Sequence, residues 1–323
     1  MSDQTIKTMT QSIIDGYRLK KDEAFVQDML TLPLAALQEG AGAYSAIFAA
    51  TMLISAPSSM LEADAAAKTA NTAPKLPAIT QAVKNTIFLT KRPSWKRPKL
   101  DQDAGANRFA MVTSGRALTG KDFDKALSIY KAMKKDLTID LCASHGILSE
   151  DQLRRLFASG VTSYHHNIET SRRFFPHICT SHTFDDRIRT IKAAQRAGFC
   201  VCSGGIIGMG ETWQDRIDMA FTLQELGIES IPINALMAIP GTGMEGRPSL
   251  PAEDILRTIA LFRFINPTAN IRLAAGRKLL PDNGESALLH GASASITGNM
   301  LTTSGTTIKE DMEMIARLGL VNH

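Results

Sequence analysis

Cys142, Cys202 and Arg272 each fall in a short apolar run, "TIDLCASHG", "FCVCSGG" and "NIRLAAGR". Thiolates are nucleophiles and soft metal ligands. An arginine inside an apolar strand requires an anionic or metal-bound partner to offset its desolvation. The run "TSYHHNIE" crowds Tyr164, His165, His166, Asn167 and Glu169 together, and "SIPINALMAIPGTG" places Asn234 among apolar neighbours. Taken singly, each has an ordinary packing role: a buried cysteine is a small hydrophobe, and an asparagine can satisfy an interior hydrogen bond. Adjacent His165 and His166 point to opposite faces of a strand. The set as a whole implies a polar site at the ends of apolar strands.

From about residue 101 onward, apolar runs alternate with amphipathic helical stretches, which is the pattern of repeated βα units. "RFAMVTSG", "TIDLCASHG", "TSYHHNIE", "FCVCSGGIIGMGET", "SIPINALMAIPGTG" and "NIRLAAGR" read as strands with their loops. "KDFDKALSIYKAMKKD", "LSEDQLRRLFASG", "TFDDRIRTIKAAQRAG", "TWQDRIDMAFTLQELG" and "PAEDILRTIALFRFINP" read as helices. Ser149 and Thr183 stand at helix N-caps with acidic residues following, and Gly160 and Gly198 at C-caps. Units of this length favour a parallel (β/α)8 barrel, an α/β fold in which catalytic groups project from the C-terminal strand ends. The glycine-rich "GGIIGMGET" lacks both the P-loop Lys-Ser/Thr and the dinucleotide-binding spacing, so it is a weak nucleotide motif.

The 323 residues fit one large barrel domain. A hydrophobic fraction of 44% and a charged fraction of 21% are ordinary for a globular chain. The sequence has no apolar run of membrane-spanning length, and the N-terminal stretch lacks a signal peptide's apolar core, so cytoplasm is the expected compartment. Four cysteines, Cys142, Cys179, Cys200 and Cys202, are too few and irregular for a disulfide framework. The net charge of +4 is concentrated in residues 43–100, where eight Lys or Arg face only Glu62 and Asp64. The end of that stretch, "KRPSWKRPK", reads as a basic nucleic-acid patch or, more plainly, as a solvated linker.

The run "YHHNIETS … TFDDRIRTIKAAQRAGFCVCSGGIIGMGETWQDRI … SIPINALMAIPGTGM … RTIALFRFINPTANIRLAAGR" closely resembles the biotin synthase family of radical S-adenosylmethionine enzymes. The likeness covers about residues 107–320, and "VCSGGI" with "RLAAGR" are its most specific parts. It implies a (β/α)8 TIM-type barrel of the radical SAM kind, sulfur insertion into dethiobiotin, two iron–sulfur clusters and a homodimer. It further implies S-adenosyl-L-methionine as cofactor and an electron-donor protein of flavodoxin or ferredoxin type, with no nucleic acid or membrane. By motif, Cys142, Cys202 and Arg272 match ligands of an auxiliary cluster, [2Fe–2S] or another type. Asn167 and Asn234 match substrate contacts, and Glu169, Arg187 and Ile206 match contacts to S-adenosylmethionine.

The chain departs from that pattern twice. Ala110 stands where some members have a fourth auxiliary ligand. The family's radical-generating [4Fe–4S] cluster requires C-x3-C-x2-C after the first strand, and no cysteine precedes Cys142. Instead there is "DAAAKTANTAPKLP". Read one base earlier, the codons of "AAKTANTAPK" permit Cys-Ser-Glu-Asn-Cys-Lys-Tyr-Cys-Ala-Gln, with cysteines at the positions of Ala66, Ala70 and Ala73. The same shift lets "IFAATMLISAPSSML" spell a first-strand sequence and "NTIFLTKRPSWKRPK" an acidic helix. The expected organisation is thus one domain: an N-terminal helical region, 1–42; an out-of-frame segment, 43–99; and the barrel remainder, 100–323. On this reading the local basic charge is a reading-frame artefact, the first βα unit is disrupted, and "KRPSWKRPK" is loop. The alternatives are a non-catalytic barrel that binds S-adenosylmethionine-like or dethiobiotin-like ligands, and a sister radical enzyme.

Overall fold

In the computed structural model, residues 3–48, 53–56, 96–113, 115–298, 306–320 and 322 are described. Among the described residues, nine parallel strands form one sheet: β1 (Leu53–Ala56), β2 (Arg108–Val112), β3 (Asp140–Ser144), β4 (Ser163–His165), β5 (Cys200–Cys202), β6 (Gly205–Ile207), β7 (Ser230–Ala235), β8 (Asn270–Leu273) and β9 (Ala294–Ile296). Neighbours pair in sequence from β1 to β5 and from β6 to β9, β1 joins β9, and β5 reaches β7 through Cys202 and Ser230. β5 and β6 are two halves of one strand interrupted at Ser203 and Gly204, so the ring is an eight-stranded barrel with one broken stave.

The interruption has a steric cause. A Cβ on Gly204 would lie 2.0 Å from the Pro232 carbonyl oxygen, and one on Gly205 would lie 2.4 Å from the Glu169 oxygen. Only glycine allows such close backbone approach.

Helices follow the strands: α5 (Gly120–Asp136), α6 (Glu150–Ala158), the one-turn α7 (Phe175–Ile178), α8 (Phe184–Arg196), α9 (Trp213–Glu225) and α10 (Ala252–Ile265). Ser149, Thr183 and Thr212 each close a reciprocal capping box at the starts of α6, α8 and α9. Gly160 and Gly198 hold φ of 99° and 98° where the helices end.

Before the barrel come α1 (Asp3–Ile14), α2 (Ala24–Asp28) and α3 (Leu34–Phe48), and α1 and α3 lie against one another with α3 also on α10. Such cover explains why α10 is buried from Arg257 onward, Arg257 and Arg263 included. Arg257 donates to the Leu32 carbonyl at 2.6 Å, and Arg263 donates to the carbonyls of Gly291 at 2.7 Å and Ala269 at 2.6 Å. Two arginines facing the core are therefore satisfied by backbone oxygens from the loops they tie down.

Two expectations require correction. β1 is in place within the barrel, with Ser55 opposite Arg108 and Leu53 opposite Ala294. The disruption of the first βα unit is therefore not a loss of its strand: four residues suffice for backbone pairing whatever their origin. Residues 57–95, which hold Ala66, Ala70 and Ala73, lie outside the described residues. "KRPSWKRPK" is also not all loop, since α4 (Lys96–Asp103) begins within it. Pro98 falls in the first turn, where a missing N–H costs no helical bond. Among the described residues, no helix is long and apolar enough to cross a membrane.

Candidate active site

Residues paired across parallel strands point to the same face of the sheet. Ala110 pairs with Cys142, Cys142 with Ser163, His165 with Cys202, Cys202 with Ser230, and Pro232 with Arg272. This register carries Cys142, Cys202 and Arg272 onto one barrel-facing surface, where all three are buried.

The electrostatics of the cluster are those of thiols held beside cations. Burial pushes the Cys142 thiol up to about 12, against the opposing pull of Arg108 and Arg272. Burial acts the same way on Cys202, but His165, Arg272 and a hydrogen bond from Ser230 outweigh it and bring the thiol down to about 6. Ser230 Oγ lies 3.3 Å from Cys202 Sγ and accepts from Arg272 Nε at 2.6 Å. Burial lowers the Arg272 pKa, and Cys202 is the first group opposing it.

Arg108 joins this group, and sequence reading missed it. Its Nε is buried without an acceptor. The alternation of burial along β2 puts Arg108, Ala110 and Val112 on one face and Phe109 and Met111 on the other, so the period-2 rule applied to "RFAMV" would have found it.

Two thiols flanked by two guanidinium groups suit an anionic iron–sulfur group, whose charge would answer the cations and the orphaned Arg108 Nε. The fit is incomplete at Ala110, which offers a methyl beside Cys142 where a further ligand could stand. Among the described residues, no three His, Cys, Asp or Glu side chains are placed to hold a metal ion.

A second feature adjoins the first. A cavity of about 180 Å³ is lined by Thr113, Arg116, Asn167, Glu169, His182 and Arg187, among others. Arg187 Nη1 pairs with Glu169 at 3.2 Å and donates to the Asn167 carbonyl at 2.8 Å. Glu169 adopts φ of 70°, the left-handed region that non-glycine residues rarely enter. That backbone turn delivers its carbonyl to Ile206 N at 2.8 Å while its carboxylate faces the cavity with Arg187. Backbone strain of this sort concentrates at functional sites.

Asn167 and Asn234 come to the same place by different routes. Asn167 Oδ1 accepts from Gly204 N at 3.0 Å, and Asn234 Nδ2 donates to the Gly205 carbonyl at 3.1 Å. Asn234 Oδ1 further accepts from Ala275 N at 3.2 Å. Asn167 lines the cavity, whereas Asn234 and Ile206 lie on the neighbouring strands β7 and β6, paired with each other.

Comparison with known proteins gives the same picture. Residues 98–223 match the radical SAM superfamily and residues 232–321 match the Biotin and Thiamin Synthesis associated domain. The chain is 58% identical over 221 residues to the biotin synthase of Alkaliphilus metalliredigens, covering 68% of this chain and 70% of that one. It is 55% identical over 237 residues to the biotin synthase of Clostridium beijerinckii, covering 73% and 75%. In fold it is similar to the crystal structure of methylornithine synthase (PylB), with a TM-score of 0.75 at 16% identity over 98% of this chain and 97% of that one. It is also similar in fold to HydG, a maturase of the [FeFe]-hydrogenase, with a TM-score of 0.78 at 14% identity over 100% and 76%. With its barrel, its cysteine–arginine cluster and these relatives together, the chain belongs to the biotin synthase family of radical SAM enzymes.

Proposed function

We propose that this barrel is built for radical-mediated sulfur insertion into dethiobiotin, and that the chain as it stands lacks the part that starts the radical. The observation that carries the first half is the adjacency of two sites on one barrel. Cys142, Cys202 and Arg272 form one, and the cavity of Asn167, Glu169 and Arg187 forms the other.

On this reading Cys142 and Cys202, with Arg272, hold an auxiliary iron–sulfur cluster, which supplies sulfur chemistry when bound. Arg187 and Glu169 grip the charged amino-acid and polar ribose parts of S-adenosylmethionine, and Ile206 offers an apolar contact beside them. Asn167 and Asn234 orient the ureido ring of dethiobiotin, each amide having both a donor and an acceptor to offer. Both amides are engaged with backbone at present, so substrate would share or replace the bonds to Gly204 and Gly205. An electron-donor protein of flavodoxin or ferredoxin type and a homodimeric assembly belong to the same proposal.

The radical-generating [4Fe–4S] cluster does not fit this chain. Ala66, Ala70 and Ala73 carry methyls with no lone pair, and no step is drawn through that group. A frameshifted segment at 43–99 accounts for this, and the start of the superfamily match at residue 98 supports it.

The test is anaerobic reconstitution with iron and sulfide, followed by an assay of reductive S-adenosylmethionine cleavage, on this chain and on one with residues 43–99 restored to the shifted frame. Cleavage by the restored chain alone is expected. Cleavage by the present chain refutes the lesion. Iron-free protein that still binds dethiobiotin favours the non-catalytic barrel.

A further inference from the structure

His145 is wholly buried and held between two hydroxyls. Its Nε2 lies 2.9 Å from Tyr130 Oη on α5, and its Nδ1 lies 3.1 Å from Thr113 Oγ1 at the end of β2. Thr113 lines the cavity that holds Arg116, Glu169 and Arg187. A chain of three side chains thus runs from the helical layer, through the barrel wall, to the candidate cofactor cavity.

The donor at each end follows from the network. Burial pushes the His145 pKa down to about 4, so at neutral pH the ring carries one N–H and one acceptor nitrogen. If the proton sat on Nε2, that N–H would go to Tyr130 Oη. The Tyr130 hydroxyl hydrogen would then have no acceptor among the described residues, in a side chain with no exposure. A buried hydroxyl without an acceptor forfeits its hydration with nothing in return. With the proton on Nδ1, Tyr130 donates to Nε2, Nδ1–H donates to Thr113 Oγ1, and both the Tyr130 and His145 hydrogens have acceptors.

This leaves the Thr113 hydrogen to be donated. The Ser144 carbonyl is 3.5 Å away, well beyond the usual O–H···O distance, and already accepts from Thr113 N at 2.9 Å. The other direction open to the hydroxyl is the cavity. There Arg116 and Arg187 provide positive charge, and Arg187 Nε is buried without an acceptor. A ligand carboxylate would answer both arginines.

We propose that Tyr130 and His145 are positioning residues that turn the Thr113 hydroxyl toward the cavity, where it donates to the carboxylate of bound S-adenosylmethionine. The inference rests on the reading of this cavity given above. Tyr130 and His145 contact no ligand; they act only by fixing which way Thr113 donates.

Two measurements test it on the chain as it exists. Long-range 1H–15N NMR of the His145 ring is expected to show a protonated Nδ1 and a bare Nε2 at neutral pH; the opposite tautomer overturns the proposal. Calorimetric titration with S-adenosylmethionine is expected to show affinity about tenfold weaker for Thr113→Val, as for a hydrogen bond to a charged group, and retained for Thr113→Ser. Equal affinity of Thr113→Val and the unsubstituted chain overturns it as well. In Tyr130→Phe the Nε2–H tautomer is expected to grow and affinity to fall with it, and a tautomer shift without loss of affinity breaks the coupling. Failure of the unsubstituted chain to bind S-adenosylmethionine refutes the reading of the cavity, while the ring nitrogens still decide the tautomer.

Discussion

Asn167 and Asn234 hold the two adjacent glycines of one strand break: Asn167 accepts from Gly204 N at 3.0 Å, and Asn234 donates to the Gly205 carbonyl at 3.1 Å. Two side-chain amides thus replace ladder bonds that the interruption of the strand removes. The candidate substrate residues and the glycine pair form one structural unit. A substrate that engages either amide would act on the backbone between β5 and β6.

Gly204→Ala is expected to disable the barrel. Its Cβ would stand 2.0 Å from the Pro232 carbonyl oxygen, a backbone atom that cannot step aside as a flexible side chain could. Loss of about 3 kcal/mol or more, or insoluble expression, is the expected result. Thermal unfolding of the purified variant checks it, and an unchanged midpoint would mean that the strand break is not held by this contact.

Much of this organisation is legible in sequence because its causes are local. The capping boxes at Ser149 and Thr183 are written in adjacent residues, and the inward register of Cys142, Cys202 and Arg272 follows from period 2 once the strands are found. Three features are not legible in that way. Glu169 adopts a left-handed conformation held from distant parts of the chain, by the Gly204 carbonyl and the Ile206 amide at its backbone and by Arg187 at its carboxylate. Arg257 and Arg263 lie in a run that reads only as a helix, and their burial comes from tertiary packing, Arg257 against the Leu32 carbonyl and Arg263 against the carbonyls of Gly291 and Ala269. β9, in "ASASI", is too short to stand out, and it becomes a strand by filling the gap between β8 and β1.

Arg216→Met is expected to cost about 3–5 kcal/mol. Glu211 accepts from the amides of Gly208 and Met209, each at 2.8 Å, and from Arg216 Nε at 2.9 Å. Its side chain is 1% exposed. Removing the guanidinium, which also stacks 4.3 Å from the Trp213 ring centroid, leaves a carboxylate buried beside two amides. Urea unfolding checks the loss, and a variant within 0.5 kcal/mol of the parent, about the ordinary scatter of surface substitutions, would show that the two amides suffice.

Stability should fall in mild acid, in part through His145. Burial lowers its pKa from 6.5 to about 4, so between those values the unfolded chain takes up a proton that the folded chain excludes. The contribution is fully present above about pH 6.5 and lost as pH falls toward 4, amounting to about 3 kcal/mol. His166, lowered in the same direction by burial, adds to it. His145→Asn should therefore lose less stability than the parent between pH 7 and pH 4.5 in urea unfolding. Parallel losses in the two proteins would show that His145 is not excluded from protonation.

Ala110→Cys should strengthen iron retention at the cysteine–arginine cluster. Ala110 pairs directly with Cys142 across β2 and β3, on the face shared with Arg108. A thiol there would add a third sulfur to the two from Cys142 and Cys202. The two arginines would favour its thiolate form, as nearby cations do in general. After anaerobic reconstitution with iron and sulfide and removal of unbound metal, the variant is expected to retain more iron per chain than the parent, with stronger visible sulfur-to-iron absorption. Ala110→Ser provides the control, since it adds volume and an oxygen but a poorer ligand for iron. Equal iron content in all three proteins would mean that position 110 does not face the cluster. A gain in Ala110→Cys alone would identify this alanine as the position where the chain has lost a ligand.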